Sequence, residues 1–539
     1  MTTPLPKPKK PGTWVSLAKA FTSWRTASVT LMSFSSGMPL GLVWIAIPDW
    51  MRDIGVDIRV VGLITLAQAP WTFKFLWAPL MDRYVPPWLG RRRGWAAITQ
   101  LLLFVFTLML AGVGDHPDTP WVVAALAMAI AFAAASQDIA VDAYAVDVLR
   151  PEEQAIAVGA RNFLYRVGMI WVAGGTAITL AGRYGWSAVN IFLACLYLPM
   201  LLVTWKAPEP QGVAAAPTTL KEAVWNPFLG FLTRHRALEI LAFVVLYKLA
   251  DQLAQSLQRP FLIDMGYNEV DRGVALSTVG VVGNVLGTFI GGLLTAPLGL
   301  GRSLWIFGFF QIFSNAGYAL IAAEGEVNRT LMLSAIGFET FSSGLGSGAF
   351  SVLLLRMTQK RFSATQYALF SSLFGLPRIL AGPIAGFSAY AVGWETFFWA
   401  TMVIGIPGMV MLSRFVPFTA REPEFRIEEP RIRRPLSAGE LTMRGLAGAF
   451  VGFASGALLT ALLSALKVVN DATKAGTQAA FDMWTPLISI GRPVDNAGWL
   501  TLIGLLVWGI TCGLFTAAVS AARHGAGQEL GLDPDYEET

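Results

Sequence analysis

Apolar runs close to the length of a bilayer-spanning helix follow one another along the chain. About 20 consecutive apolar residues suffice to cross the hydrocarbon core, so this feature predicts an integral membrane protein built of helices. Only 14% of the residues are charged, against roughly 25% in a soluble protein. Fourteen spans are predicted, at 27–47, 60–80, 95–113, 121–146, 157–180, 186–204, 237–257, 273–296, 303–322, 330–355, 364–391, 394–412, 446–466 and 498–521.

The grouping of these runs indicates two halves. Six spans, a polar stretch and six further spans form the arrangement of a transporter with parallel repeats. A shift of 212 residues lays Gln154 on Gln366 and Arg166 on Arg378, which weakly supports a repeat. We expect an all-α membrane fold of two six-helix bundles with two appended helices. The expected segments are a tail at 1–26, bundles at 27–205 and 237–412, a loop with a surface helix at 206–236, a charged linker at 413–445, two helices within 446–521 and a tail at 522–539.

Charged residues in the loops predict the orientation and exclude several classes. Lysine and arginine are concentrated on the side of the N-terminus, which predicts that both termini are cytoplasmic. The basic residues lie in short loops, so no nucleic-acid partner is indicated. Cys195 and Cys512 lie far apart within apolar runs, and no Cys/His spacing predicts a metal site. His116, His235 and His524 fall outside the spans, and no nucleophile–base arrangement indicates an enzyme.

Ionisable residues occur within the predicted spans of both halves. A charge near the bilayer centre costs roughly 2.5–3.5 kcal/mol on insertion scales, so it usually faces a polar cavity or a partner. Asp138 and Asp142 share one helix face, although Asp142 could instead cap a helix end or bind a loop arginine. Lys248 and Asp251 could simply neutralise each other. The first half contributes Lys74, Asp138, Asp142 and Arg166, and the second half contributes Lys248, Asp251, Glu339 and Arg378.

We expect the face that carries Asp138 and Asp142 to be the acidic wall of a central cavity, with Lys74 and Arg166 as its partners. Asp138 lies deeper than Asp142 and is the better candidate for ion coupling. Other polar residues in the spans are more typical of hydrogen bonds between helices, namely Gln252, Asn284, Gln311 and Asn315. The glycine-rich runs at 280–292 and 344–348 predict close helix packing.

A charged motif lies between the second and third predicted spans. It reads Asp82-Arg83-Tyr84 followed by Gly90-Arg91-Arg92-Arg93-Gly94. This motif resembles the signature of the major facilitator superfamily, although Ala78-Pro79 precedes the acidic-basic pair where the family usually has glycine. The resemblance implies a gating role for Asp82, Arg83, Arg91 and Arg92, in which an ion pair latches one conformation and releases in another. A simple positive-inside anchor is the alternative.

Four separated motifs resemble AmpG-type muropeptide permeases over most of residues 27–412. They are Lys74-Phe-Leu-Trp-Ala-Pro79, Ser136-Gln-Asp-Ile-Ala-Val-Asp-Ala143 with Asp147, Tyr247-Lys-Leu-Ala-Asp251 and Phe362-Ser-Ala-Thr-Gln-Tyr-Ala368. The resemblance implies an inner-membrane transporter that brings anhydromuropeptides from the periplasm to the cytoplasm for cell-wall recycling. It implies the proton gradient as the driving force and no bound cofactor. The expected partners are a small glycopeptide and the bilayer, with no nucleic acid and with the chain as a monomer.

The resemblance suggests roles for the buried residues. The carboxylates of a muropeptide could pair with cations, and aromatic rings such as Trp44, Trp71 and Trp77 could stack on its sugars, although packing is an equal alternative. The candidates for substrate binding are Lys74, Gln137, Arg166, Tyr247, Lys248 and Arg378. The candidates for proton coupling are Asp138, Asp142, Asp251 and Glu339. Two other functions stay open, a carrier of another anionic solute such as acetyl-coenzyme A or a sugar phosphate, and a non-transporting receptor.

Overall fold

A computed structural model describes most of the chain. The described residues are 22–56, 67, 69–115, 120–210, 217, 219–232, 237–418, 420–423, 436–474, 477, 480–494 and 496–524. Within these ranges all regular structure is helical, so the prediction of an all-α fold is confirmed. Most of the predicted N-terminal tail, the centre of the charged linker and nearly all of the C-terminal tail lie outside the described residues.

The helices of the first half follow the predicted spans closely. They are α1 (Trp24–Asp53), α2 (Ala69–Phe73), α3 (Ala78–Arg83), α4 (Gly90–Gly112), α5 (Pro120–Val148), α6 (Pro151–Tyr184) and α7 (Trp186–Lys206). The predicted span 60–80 is the exception, because its described part is broken by a 3₁₀ turn at Lys74–Leu76. Pro79 lies in the first turn of α3, where its missing N–H cannot extend a hydrogen-bonded helix across the break.

Most helices of the remaining chain coincide with predicted spans, Leu220–Leu232 is the predicted surface helix, and Gln258–Asp264 and Trp484–Gly491 are short helices outside the predicted spans. They are α8 (Leu220–Leu232), α9 (Ala237–Ser256), α10 (Gln258–Asp264), α11 (Val270–Leu298), α12 (Leu300–Glu324), α13 (Arg329–Met357), α14 (Ser363–Val392), α15 (Trp394–Ser413), α16 (Ala438–Lys474), α17 (Trp484–Gly491) and α18 (Asn496–Arg523). Among the described helices, ten are long and apolar enough to cross a membrane. The count of fourteen spans stays a prediction.

The chain forms two compact units, and each is described by itself. Unit 1 consists of Met1–Ala223 and Glu239–Glu424, and unit 2 consists of Val224–Leu238 and Phe425–Thr539. Unit 1 therefore holds nearly all of both predicted bundles. In unit 2, α16 and α18 pack through small residues, since an added Cβ at Gly513 would lie 2.6 Å from the Gly445 carbonyl oxygen. The predicted domain boundaries are not tested by this division.

Close approach of backbones at glycine holds the helices of unit 1 together. A Cβ added at Gly37 of α1 would lie 2.0 Å from the Tyr165 carbonyl oxygen of α6. A Cβ at Gly287 of α11 would lie 2.2 Å from the Phe341 carbonyl oxygen of α13. Helices associate in lipid through such van der Waals packing, because lipid tails provide no hydrophobic drive. The predicted role of the glycine-rich runs in close packing is confirmed.

One glycine contact joins the two halves of unit 1. A Cβ added at Gly159 of α6 would lie 2.8 Å from the Phe289 carbonyl oxygen of α11, and a Cβ at Gly292 would lie 2.7 Å from the Gly159 nitrogen. The two backbones therefore touch with no side chain between them. Any larger residue at Gly159 must push α6 and α11 apart.

Candidate functional site

The carboxylates of α5 lie in a buried polar cluster with two cations. The Lys74 Nζ lies 3.3 Å from a carboxylate oxygen of Asp142, and Arg161 of α6 donates a hydrogen bond to the other oxygen. One helical turn earlier, Ser36 of α1 donates a hydrogen bond to Asp138. Lys74, Asp142 and Arg161 are each at most 9% exposed. Four elements thus contribute to one site.

Local structure explains how the two cations reach the cluster. Lys74 lies in the 3₁₀ turn between α2 and α3, where its side chain is 6% exposed, and it does not extend to either end of the bundle. Arg161 lies almost three turns inside α6, because that helix starts at Pro151, with the backbone N–H of Arg150 bonded to the Glu153 carboxylate. Both cations are therefore held at depth by the helices that carry them.

Two tyrosines complete the cluster. Tyr165 of α6 lies close to Asp138 and Asp142. Tyr367 of α14, which belongs to the second half, interacts electrostatically with Arg161. The cluster is consequently not confined to the first half, since Arg161 is in contact with residues of both.

Lys74 is a partner of Asp142, as predicted. The other predicted partner was Arg166 of α6, but a different arginine of that helix binds Asp142. The arginine of α6 that binds Asp142 is Arg161, which the sequence analysis did not single out, while Arg166 lies half-buried five residues further on. Arg161 lies near the start of the predicted span 157–180, where an arginine is typical of a helix end. Because α6 begins at Pro151, before the predicted span, Arg161 lies well inside the helix and not at its end.

The second half holds a separate network around Lys248. Its ammonium group donates to Asp251 at 2.9 Å, to the Ser343 carbonyl oxygen at 2.9 Å and to the Gln311 side chain. Three acceptors match the three donors of an ammonium group. Lys248 and Asp251 therefore form a neutralising pair on one helix, which was the simpler of the two interpretations. Gln311 forms a hydrogen bond between helices, as expected.

Glu339 of α13 is fully buried beside this network. Its carboxylate accepts hydrogen bonds from Gln255 at 2.8 Å, Tyr318 at 3.0 Å and Gln258 at 3.2 Å.

The remaining predicted substrate-binding residues lie in other places. Tyr247 donates its hydroxyl hydrogen to the Leu304 carbonyl oxygen at 2.9 Å. In the first half, Gln137 donates to the Ser35 hydroxyl at 2.5 Å. The side chain of Arg378 lies outside the described residues.

A second buried charge cluster lies at one end of unit 1 and contains three of the four predicted gating residues. Arg92 of α4 lies 2.8 Å from Asp82 of α3 and 2.7 Å from Asp147 of α5. Arg91 donates to the Asp82 carbonyl oxygen at 3.3 Å. The guanidinium of Arg83 lies instead 5.2 Å from the centre of the Tyr84 ring.

This end cluster also joins the two halves. The Asp82 carboxylate accepts hydrogen bonds from the backbone N–H of Thr365 at 2.8 Å and from its hydroxyl at 2.6 Å. Arg92 donates to the Ser363 hydroxyl at 2.6 Å. Ser363 and Thr365 form the first turn of α14, so a carboxylate of the first half caps a helix of the second.

The predicted aromatic residues are divided between packing and hydrogen bonding. Trp44 and Trp71 meet edge to face, with ring centres 6.3 Å apart. Trp77 stacks on Phe132 at 4.6 Å and donates its indole N–H to Ser136. Among the described residues, no group of three or more His, Cys, Asp and Glu is placed to hold a metal ion.

Comparison with known proteins identifies the fold. Residues 29–381 match the model of the Major Facilitator Superfamily. The transporter FucP in its outward conformation is similar with a TM-score of 0.57, at 14% identity over 72% of this chain and 98% of that chain. The chain therefore belongs to the Major Facilitator Superfamily, and it is a multi-pass inner-membrane transporter.

Two sequence relatives narrow the assignment. The anhydromuropeptide permease of Escherichia coli strain K12 is 40% identical over 396 residues, which is 73% of this chain and 80% of the permease. An uncharacterized protein of Haemophilus influenzae is 33% identical over 71% of this chain and 92% of its own. Within the superfamily, the chain belongs to the anhydromuropeptide permease family. The prediction of a transporter rather than an enzyme is confirmed.

Proposed function

We propose that the protein imports anhydromuropeptides from the periplasm to the cytoplasm by alternating access, driven by the proton gradient without a bound cofactor. The observation that carries this proposal is a buried carboxylate, Asp142, shared by the two cations Lys74 and Arg161. A peptide carboxylate suits such cations, and the E. coli relative is an anhydromuropeptide permease. The chain acts as a monomer, with the glycopeptide and the bilayer as partners and no nucleic acid.

Asp138 is the residue that carries the coupled proton. The groups around it are the Ser36 hydroxyl from α1, Lys74 from the 3₁₀ turn, Asp142 of its own helix, and Arg161 and Tyr165 from α6. When Asp138 and Asp142 are both ionised, they balance the charges of Lys74 and Arg161. A proton on Asp138 leaves one uncompensated positive charge, which favours binding of an anion. Proton and anionic substrate thus bind together because each offsets the charge of the other.

The ionisable residues of the second half contribute less to the change in net charge that accompanies proton and substrate binding. Lys248 has its three donors engaged, and Glu339 accepts three hydrogen bonds. Substrate can reach Lys248 only by breaking a bond that it already makes. Asp251 and Glu339 remain candidates for a second protonation step, and Tyr247, Gln137, Arg166 and Arg378 remain candidates for contacts to the sugars and the peptide.

The end cluster of Asp82, Arg92 and Asp147 is the gate. It lies at the end of the bundle where α4 begins with the arginine-rich segment 90–94, and we assign this end and both termini to the cytoplasm. Because Asp82 and Arg92 bind the first turn of α14, the contact exists only when the two halves meet on that side. The described conformation is then closed to the cytoplasm, and opening requires these bonds to break.

Uptake into proteoliposomes tests the proposal. We expect a labelled anhydromuropeptide to accumulate when the outside is acidic, and a protonophore to abolish the accumulation. Uptake that is equally fast without a pH gradient would contradict proton coupling. If no anhydromuropeptide enters but acetyl-coenzyme A or a sugar phosphate does, the substrate assignment is wrong.

A further inference from the structure

We propose that Arg161 is the residue that binds a carboxylate of the peptide, in place of Asp142, and so determines the preference for acidic substrates. The inference rests on the proposed function and names the contact that selects the substrate. It concerns a residue that no sequence motif indicated.

Arg161 has unused hydrogen-bonding capacity. A guanidinium has donors on several nitrogens and binds a carboxylate best through two parallel hydrogen bonds. Arg161 uses Nη2 for Asp142, whereas its Nη1 is buried and, within the described part of the chain, has no hydrogen-bond partner. A buried donor without a partner is costly, so an incoming acceptor is favoured there.

Lys248 and Lys74 are less suited than Arg161 to hold a carboxylate of the substrate. Lys248 has its donors engaged by Asp251, Gln311 and Ser343. Lys74 contacts Asp142 at 3.3 Å, a longer and weaker contact, and as an ammonium group it cannot hold a carboxylate in a fixed plane. If Asp142 stays with Lys74, Arg161 can turn to the substrate without leaving a carboxylate unpaired. Arg161 therefore provides a directional anion site.

Arg161 also lies between the two halves. It lies on α6 of the first half and interacts with Tyr367 on α14 of the second. A substrate that binds at the contact between the halves is recognised by both of them. An anion on Arg161 also competes with Tyr367, so binding there is communicated to α14.

The test compares two ligands that differ only in charge. N-acetylglucosaminyl-anhydro-N-acetylmuramyl-L-alanine carries one carboxylate, and its C-terminal amide is a neutral molecule of similar size. Hydrogen bonds to charged groups imply that the wild type binds the acid roughly 10- to 100-fold more tightly. We expect the Arg161→Gln variant to bind the acid and the amide within about threefold of each other, and Arg161→Lys to keep part of the preference.

A matched control is Arg25→Gln, because Arg25 forms a two-bonded pair with Glu153 outside the cluster. The ratio of the two affinities is measured on one sample, so it does not depend on how much variant folds. If Arg161→Gln keeps the wild-type ratio, or if Lys74→Gln abolishes it instead, the inference is wrong. If the wild type binds neither ligand, it is the proposed function that fails.

Discussion

The proposed gate allows a quantitative prediction for the isosteric change Asp82→Asn. In the described conformation, the Asp82 carboxylate caps the first turn of α14 through two bonds to Thr365, at 2.8 and 2.6 Å, and lies 2.8 Å from Arg92. Asparagine keeps an acceptor for Thr365 and removes the charge. Arg92 keeps its contact with Asp147 at 2.7 Å. The change therefore weakens the contact between the halves and leaves the rest of the end cluster in place.

The expected size follows from the bonds that are weakened. Loss of a negative charge at a partly buried helix N-terminus costs up to about 2 kcal/mol. Replacing a charged acceptor by a neutral one costs about 1 kcal/mol more. A total of about 2–3 kcal/mol shifts the equilibrium between closed and open forms of this end by roughly 30- to 150-fold. Such a shift is large enough to change the dominant conformation.

Distances between spin labels measure this shift. Glu152 at the start of α6 and Ser413 at the end of α15 are exposed and lie in different halves, so both can carry labels in a variant without Cys195 and Cys512. We expect Asp82→Asn to move the distribution of label distances to longer values. The matched control is Asp115→Asn, because Asp115 caps α7 through the Ser187 N–H at 2.8 Å within one half. An unchanged distribution in folded Asp82→Asn protein would refute the gate.

Three further predictions concern other parts of unit 1. Asp138→Asn removes the proposed proton carrier, so we expect uptake measured in proteoliposomes to lose its dependence on the pH gradient; retained accumulation would exclude the role. Lys248→Met leaves Asp251 buried without its cation and should destabilise the protein by about 3–5 kcal/mol. The double variant Lys248→Met with Asp251→Leu should recover most of the thermal stability. Equal losses of stability in the two variants would contradict a structural pair. Gly159→Leu should separate α6 from α11 and lengthen the distances between the spin labels. The control Gly182→Leu lies on the same helix and should leave these distances unchanged, because no described atom lies within 4 Å of its added Cβ. Equal effects of the two variants would show that the Gly159 contact does not hold the halves together.

The sequence predicted the elements whose cause is local. Apart from the run at 60–80, each long apolar run coincides with a described helix, because a segment in lipid must satisfy its own backbone hydrogen bonds. The pairing of Lys248 with Asp251 could be read from the spacing of the two residues on one helix. The break near Lys74 was not predicted, because the apolar run around it favoured one continuous span, although Pro79 in the first turn of α3 fits a helix that starts anew there.

The features that sequence analysis missed depend on distant partners. Arg161 of α6 reaches Asp142 of α5 across 19 positions of the chain, and a lone arginine near a predicted span end gives no sign of that partner. The capping of α14 by Asp82 joins residues that are 283 positions apart. Helix periodicity describes one element at a time, so a contact between two halves cannot be derived from it.

The start of α14 has a consequence for energetics. Thr365, which Asp82 binds, and Tyr367, which interacts with Arg161, are two residues apart on this helix. Substrate binding at Arg161 and the contact of Asp82 with Thr365 are coupled when they share this short segment. Each then changes the equilibrium constant of the other by the same factor. A mutation that shifts the closing equilibrium at the distant Asp82 end should therefore alter the dissociation constant of the substrate, and substrate binding should in turn shift that equilibrium.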